Sequence, residues 1–276
     1  MKVSVCIPVY NGEKYITQTV RSVMNQTYKE YELLIVDNHS TDHTVEKVQR
    51  FSDAGIRLIK NEKNYGMFEN WNICLRQARG EYIQILCADD FLEPDCLEGK
   101  VRVLEKYQDV VMVFGASNVV DAKGKVILKR RPFHKNLICD GRQMAKKSFR
   151  TGNIYGEPSN VMFRRKAAEK AGEFSDALCY SSDWDYWMRL SLEGKTAYID
   201  RTFTSFRISG SSATAGLLKQ MKALREDDTK FVADVKHRMK NSVTGTDVLI
   251  HYLAVNTRLF AKAAFCLAVN RQGEVV

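Results

Sequence analysis

Glu81-Tyr-Ile-Gln-Ile-Leu-Cys-Ala-Asp-Asp-Phe-Leu-Glu-Pro-Asp95 is the stretch on which the reading of the chain turns. Gly80 ends a helical pattern just before it. Tyr82 to Cys87 is a short, mostly apolar run of the kind that makes a buried strand. Asp89 and Asp90 follow at its C-terminal end, and Pro94 stops any regular element from continuing. Open α/β sheets bind ligands beyond the carboxyl ends of their strands. Adjacent carboxylates there suit a hard cation such as magnesium, which is usually held by one or two carboxylates plus substrate phosphates. The same two acids also fit a plainer part, one capping a helix and the other solvated. The flanking sequence decides between the two.

Upstream, Lys2 to Val9 reads as a strand, followed by Tyr10-Asn-Gly-Glu13 and a helix with Ile16, Val20, Val23 and Met24 on one face. Glu32 to Val36 is a second strand, closed by Asp37-Asn-His-Ser-Thr-Asp42, where Thr41 or Asp42 can cap a helix around 45–51. Ile56 to Ile59 is a third strand. Asn64-Tyr-Gly66 turns into a helix over 68–78. Strand and helix thus alternate through residue 95, the pattern of a parallel sheet covered by helices. Tyr10-Asn11, Asp37-Asn38 and Asp89-Asp90 then lie at strand ends on one rim. No Gly-x-Gly-x-x-Gly or Walker-type loop is present, which counts against dinucleotide oxidoreductases and P-loop enzymes.

Downstream, the pattern predicts a helix over 94–107, a strand over 110–120 and a return hairpin strand over 125–129. A basic stretch, 129–150, follows. Asn160 to Phe163 is strand-like, 182–190 is helical, and 196–199 and 203–208 are short strands. The tail reads as two helices, about 214–240 and 247–270. The chain fits a domain over 1–210 with a helical extension over 211–276.

At 276 residues with 45% hydrophobic and 27% charged residues, the chain can bury a full core and reads as soluble and globular. Its seven cysteines are odd in number and scattered without a Cys-x-x-Cys pair, which suits reduced thiols in a cytosol rather than a disulfide frame or zinc site. His39 and His43 lack partners at ligand spacing. Val3 to Ile7 is too short for a signal-peptide core, and no run of ~18 apolar residues is long enough to span a membrane. The net charge of +9 is uneven: residues 123–150 carry ten Lys/Arg against one acid, Asp140.

The segments CIPVYNGEKYI, SVMNQTY, YELLIVDNHSTD, RGEYIQILCADDFLEPD, GEPSNVMFRR, AGEFSD and SDWDYWMRL, in that order, resemble the family 2 inverting glycosyltransferases of bacterial cell-surface polysaccharide assembly. The resemblance covers about 1–210 and implies the GT-A fold, an α/β architecture with one mostly parallel sheet flanked by helices. It implies a donor half over 1–120 and an acceptor half over 121–210. Pro8, Val9, Tyr10 and Asn11 match the first nucleotide loop, Asp37 and Asn38 the base-holding pair, and Asn64, Gly66 and Asn72 the pocket lining. Ala88 and Asp89 fall at the ribose, Asp90 at a Mg²⁺ or Mn²⁺ on the diphosphate, Arg207 near that diphosphate, and Asp183 at the catalytic base. The sequence departs from the family pattern at Asn38, at Cys87 and Ser182, where the family often has acids, and at Ser209, where it often has His.

The implied reaction moves a sugar from a nucleoside-diphosphate donor, with UDP the expected nucleotide, to a glycan or lipid-linked glycan hydroxyl. One base suffices for this displacement, unlike the two carboxylates of a glycosidase. A nucleotidyltransferase would show a Gly-rich basic loop after the first strand, and YNGEKY lacks it. A nucleic-acid-binding protein is suggested by charge alone, but the basic stretch carries no recognisable binding motif. In the second tail helix Asp247, His251, Arg258 and Lys262 share a face, while Val248, Leu249, Tyr252, Leu259, Phe260 and Phe265 crowd the others. Such a helix, with the basic 123–150 segment, suits peripheral contact at the inner face of the plasma membrane; it equally suits packing on its own domain or in a homodimer.

Overall fold

A computed structural model of the chain describes residues 1–51, 55–208, 221–255 and 257. β1 (Val3–Val9) pairs in parallel with β2 (Tyr31–Asp37) and β4 (Tyr82–Ile85), and β3 (Arg57–Lys60) pairs in parallel with β2. All seven residues of β1 are buried. Val3, Val5, Ile7 and Val9 enter one apolar layer and Cys6 the other. A parallel strand covered on both faces needs such a continuous apolar run, and VSVCIPV supplies it.

On one face lie α1 (Ile16–Met24), α2 (Thr44–Gln49) and α4 (Cys96–Lys106). On the other lie α3 (Met67–Gln77), α5 (Gly141–Thr151), α6 (Arg165–Ala171), α7 (Ser182–Ser191) and α8 (Met221–Arg238). The second layer is aromatic, with Trp71, Phe149, Phe163, Phe174, Trp184, Trp187 and Phe231 in one cluster.

β9 (Val161–Arg164) runs antiparallel between β4 and β6 (Val110–Val120). β6 and its parallel neighbour β10 (Lys195–Arg207) therefore point the same way as β4. The C-terminal ends of β1, β2, β4, β6 and β10 share one rim. Short strands β5 (Phe91–Leu92), β7 (Val126–Arg130) and β8 (Leu137–Asp140) complete a ten-stranded sheet. The expected single sheet with flanking helices is present; its far half is mixed because β9 is inserted antiparallel.

Three segments take a more definite form. Residues 196–199 and 203–208 belong to one strand, β10, whose register breaks between Ile199 and Thr204. The basic stretch holds β8 and α5, with the Asp140 carboxylate accepting the Gln143 N–H as N-cap. In the second tail helix, described over 245–255, the polar face is turned inward. Asp247 caps Thr244 and pairs with Lys146 and Arg150, and the His251 ring bridges Phe149 O and Asp228. Leu249 and Leu253, at 60% and 59% exposure, face out. The remainder of 247–270, with Arg258, Leu259, Phe260, Lys262 and Phe265, lies outside the described residues, as does Ser209. No described helix is long and apolar enough to cross a membrane. The six described cysteines are free.

Gly141 opens α5 and donates its N–H to Gly194 O. A Cβ at this position would lie 1.8 Å from Ser191 O and 2.2 Å from Gly194 O, both backbone atoms with no rotamer to yield. Gly141→Ala is expected to cost roughly 2–4 kcal/mol of stability, measured as a lowered urea midpoint at unchanged m-value.

Candidate active site

The site grows from two loops laced together at the ends of β1 and β2. Asn38 N–H donates to Val9 O at 2.7 Å. Asn11 N–H donates to Ser40 Oγ, and Asn11 Oδ1 accepts Thr41 N–H at 2.8 Å. Asn11 has φ 50°, a left-handed conformation that Asn tolerates. A Cβ on Gly12 would sit 2.6 Å from Val9 Cγ2 and 3.5 Å from Ala88 Cβ, so the β1 loop lies directly on the loop after β4. The Pro8 and Val9 side chains are buried, so only their backbone is available to a ligand; Tyr10 is half exposed at the rim.

An asparagine cluster shapes the adjoining wall. Asn38 Nδ2 donates to Asn64 Oδ1 and Gly66 O, and its Oδ1 accepts Asn61 Nδ2 and Tyr65 N–H. Its amide is therefore bonded within the loop on all sides. Asp37 differs: Oδ2 accepts Ser40 N–H, while Oδ1 is buried without a partner. Asn64 and Gly66 form the turn itself, with Asn64 Oδ1 accepting Gly66 N–H and Gly66 at φ 90°. Asn72 is bonded elsewhere. Its amide brackets the Phe174 backbone, accepting N–H at 2.8 Å and donating to O at 3.0 Å, so it packs α3 onto the aromatic layer instead of lining the pocket. Asn61 and Asn70, which hold Asn38 and Val36 O, carried no signal in the sequence.

The two adjacent acids after β4 have opposite environments. Asp90 is 0% exposed, with Oδ1 accepting Arg207 N–H at 2.9 Å and Oδ2 accepting the Ser159 hydroxyl. Ser159 also accepts Cys87 N–H. Asp89 is only partly buried. Asp90 is thus bonded into the loop through both oxygens, while Asp89 keeps partial exposure at the rim. Burial pushes Asp90 well above the usual carboxylate range, with Asp89 adding to the push. Burial also raises Asp89, opposed by the nearby Arg207 charge. Burial, then Asp90 and Asp89, and more weakly Asp183, push the Cys87 thiol up, which disfavours a thiolate ligand. Among the described residues no three His, Cys, Asp or Glu side chains gather as a metal cage. The donor set fits Mg²⁺ or Mn²⁺ held by Asp89 and completed by phosphate oxygens.

Arg207 lies against the same loop. It is buried, with Nε donating to Asp89 O, Nη1 to Asp121 O and Ala122 O, and Nη2 to Gln18 Oε1. Its guanidinium lies 4.3 Å from the Tyr15 ring centroid. It rivets the Asp89 loop to the β6–β7 turn and α1, and acts on the acids through its field.

Asp183 and Asp185 both lie in the first turn of α7, and packing separates them. Asp185 is 3% exposed and paired with Arg189 and Arg238. Two guanidiniums bond its two oxygens, and it has no access to an acceptor. Asp183 is half-buried at the helix start, its Oδ1 accepting Trp184 N–H. Ser182 is buried, its hydroxyl donating to Ser175 O.

The partly exposed Asp89 after β4 and the half-buried Asp183 at the start of α7 are the two carboxylates that remain as candidates for the chemistry. The sequence model of "Glycosyl transferase family 2" matches residues 4–172, and the chain belongs to that family and is a glycosyltransferase. An uncharacterized glycosyltransferase of Methanocaldococcus jannaschii is 28% identical over 97% of this chain and 91% of its own length. An Escherichia coli UDP-Glc:alpha-D-GlcNAc-diphosphoundecaprenol beta-1,3-glucosyltransferase is 27% identical over 80% of this chain and 82% of its own. Among solved structures, S. aureus TarS 1-349 in complex with UDP-GlcNAc superposes with a TM-score of 0.73 at 18% identity, covering 93% of this chain and 72% of TarS. The mannosyltransferase PcManGT from Pyrobaculum calidifontis, in complex with GDP-Man and Mn²⁺, gives 0.60 at 19% identity over 98% and 79%. At these identities the two structures establish a shared GT-A fold.

Asp89→Asn is expected to abolish the Mg²⁺- or Mn²⁺-dependent part of nucleotide-diphosphate binding, seen by calorimetry with and without chelator, at an unchanged melting temperature. Asp90→Ala leaves the buried Arg207 N–H and Ser159 hydroxyl unpaired and should cost on the order of 2–5 kcal/mol, read by thermal melting.

Proposed function

We propose that the chain transfers a sugar from a UDP-linked donor to a hydroxyl of a glycan, with a lipid-linked glycan of cell-surface polysaccharide synthesis as the acceptor, and inverts the anomeric centre in one displacement. The observation that carries this reading is the pair of half-buried carboxylates, Asp89 after β4 and Asp183 at the start of α7, beside a donor-type rim. Asp183 takes the acceptor proton as the new bond forms, a step worth typically 10²–10⁴ in rate. Negative charge develops on the leaving diphosphate. A Mg²⁺ or Mn²⁺ held by Asp89 would supply the neutralising charge there. Asp37 Oδ1, buried without a donor, is the acceptor that a uracil N3–H would satisfy. Tyr10 is exposed on the rim to cover the base. The UDP-Glc and diphosphoundecaprenol in the name of the Escherichia coli relative support the donor and the lipid-linked acceptor. In this reading 1–120 is the donor half, 121–210 the acceptor half, and 211–276 a helical extension.

A lipid-linked acceptor brings the enzyme to the cytoplasmic face of the membrane. Leu249, Tyr252 and Leu253 form an outward apolar stripe on the 245–255 helix. That helix packs on α5 through the His251–Phe149 stack, and α5 presents Arg142 and Lys147 to solvent. An apolar stripe beside a basic helix suits an anionic interface.

Two measurements test this. In a screen of UDP-sugars for released UDP, Asp183→Asn is expected to lower transfer at least a hundredfold while UDP affinity stays at the wild-type value; transfer within tenfold of wild type would place the base elsewhere. In flotation with phosphatidylglycerol vesicles, the wild-type chain should float and a Leu249→Ser/Leu253→Ser variant should not. Equal flotation of both would remove the stripe from the membrane contact, and loss of a dimer in the variant by sedimentation would reassign it to self-association.

A further inference from the structure

The assignment of Asp183 as base raises the matter of what fixes it in place. The segment entering α7 offers three consecutive backbone N–H groups, at Cys179, Tyr180 and Ser181. All three are taken by one carboxylate from α8. Asp227 Oδ1 accepts from Cys179 and Tyr180, and Oδ2 accepts from Ser181 at 2.9 Å. Asp227 is itself only 4% exposed. Charge-assisted bonds from one carboxylate are about twice as strong as neutral ones, and these three end two residues before Asp183. Farther along the same two helices, Arg238 of α8 reaches Asp185 of α7, and Phe231 lies 4.6 Å from the Trp184 ring. Asp183 is therefore bracketed: Asp227 fixes the chain before it, and Trp184 and Asp185 after it are held by the same helix. The match to the family model ends at residue 172, so both helices lie beyond it.

We propose that α8 is part of the catalytic apparatus and that Asp227 is a positioning residue for the base, holding the entry to α7 so that the Asp183 carboxylate meets the acceptor hydroxyl. The proposal rests on Asp183 being the base. Removing the Asp227 charge loosens the 179–181 backbone and lets Asp183 drift, while the donor pocket on β1, β2 and β4 keeps its shape. Small misplacements of a reacting group cost large rate factors. The loss must therefore appear in kcat and must vanish once Asp183 can no longer take a proton.

A double-mutant cycle on the full chain reads this directly. Transfer is measured for wild type, Asp183→Asn, Asp227→Asn and the double variant, with UDP affinity and melting temperature for each. The expected result is a kcat for Asp227→Asn at least tenfold below wild type, with UDP affinity and the donor KM within twofold. The double variant should lie within about twofold of Asp183→Asn alone, and Asp227→Glu, which keeps the charge, should recover part of the loss. A wild-type kcat in Asp227→Asn, a loss confined to KM, or losses that multiply in the double variant would overturn the proposal. If Asp227→Asn does not fold, Asp227→Ser carries the cycle under the same criteria. Transfer by Asp183→Asn within tenfold of wild type is a separate failure, of the base assignment, and takes this proposal with it.

Discussion

The buried Asp90 carboxylate is the constraint around which the site is built. It joins three segments far apart in sequence: its own loop after β4, the turn Pro158–Asn160 through Ser159, and the end of β10 through the Arg207 backbone. A carboxyl group in such a place is tolerable only when both oxygens are bonded. The acid thus forces the 158–160 turn and the end of β10 into contact with the loop. Asp89, one residue away, is left at the rim with its backbone oxygen held by Arg207. The chain of contacts continues inward. Gln84 of β4 donates to Ser159 O and accepts from the buried Lys100 of α4. The loop that carries Asp89 is therefore tied to both layers of the fold.

The opposite wall follows a similar logic with different groups. The buried Asp185 pairs with two partly exposed arginines, Arg189 and Arg238, one on its own helix and one on α8. These pairs fix the rotation of α7, and with it the choice between two acids two residues apart. The desolvated charge is matched by aromatic packing from Trp184, Phe231 and Phe149, so α8 is continuous with the core and not an ornament on it.

The donor wall avoids charge almost entirely. Asn38, Asn61, Asn64 and Asn70 bond one another where the family pattern has a second acid. An amide both donates and accepts, so the cluster closes on itself and leaves Asp37 as the acid with an unused oxygen. That arrangement gives a neutral loop of fixed shape, with a single acceptor directed by the end of β2.

The sequence alone determined the alternation of β1 to β4 with their helices, because apolar period and turn residues are local. It also determined the order of the family segments, and so the family. It placed Asp37, Asp89 and Asp183 among a handful of candidates. It could not say which of Asp89 and Asp90 stays open, since that depends on Ser159 and Arg207, 69 and 117 residues away. It did not show that Asn38, Asn72 and Arg207 are bonded to protein groups far away in the chain. It offered no sign of Asp227, an acid in the middle of a tail helix whose partners are backbone N–H groups, which carry no side-chain signature. It read the 245–255 helix as amphipathic, but the buried partners of Asp247 and His251 turned its polar face inward. Local spacing fixes which residues share a face; only the tertiary structure decides what that face meets, because the bonds that settle it close over long separations in the chain.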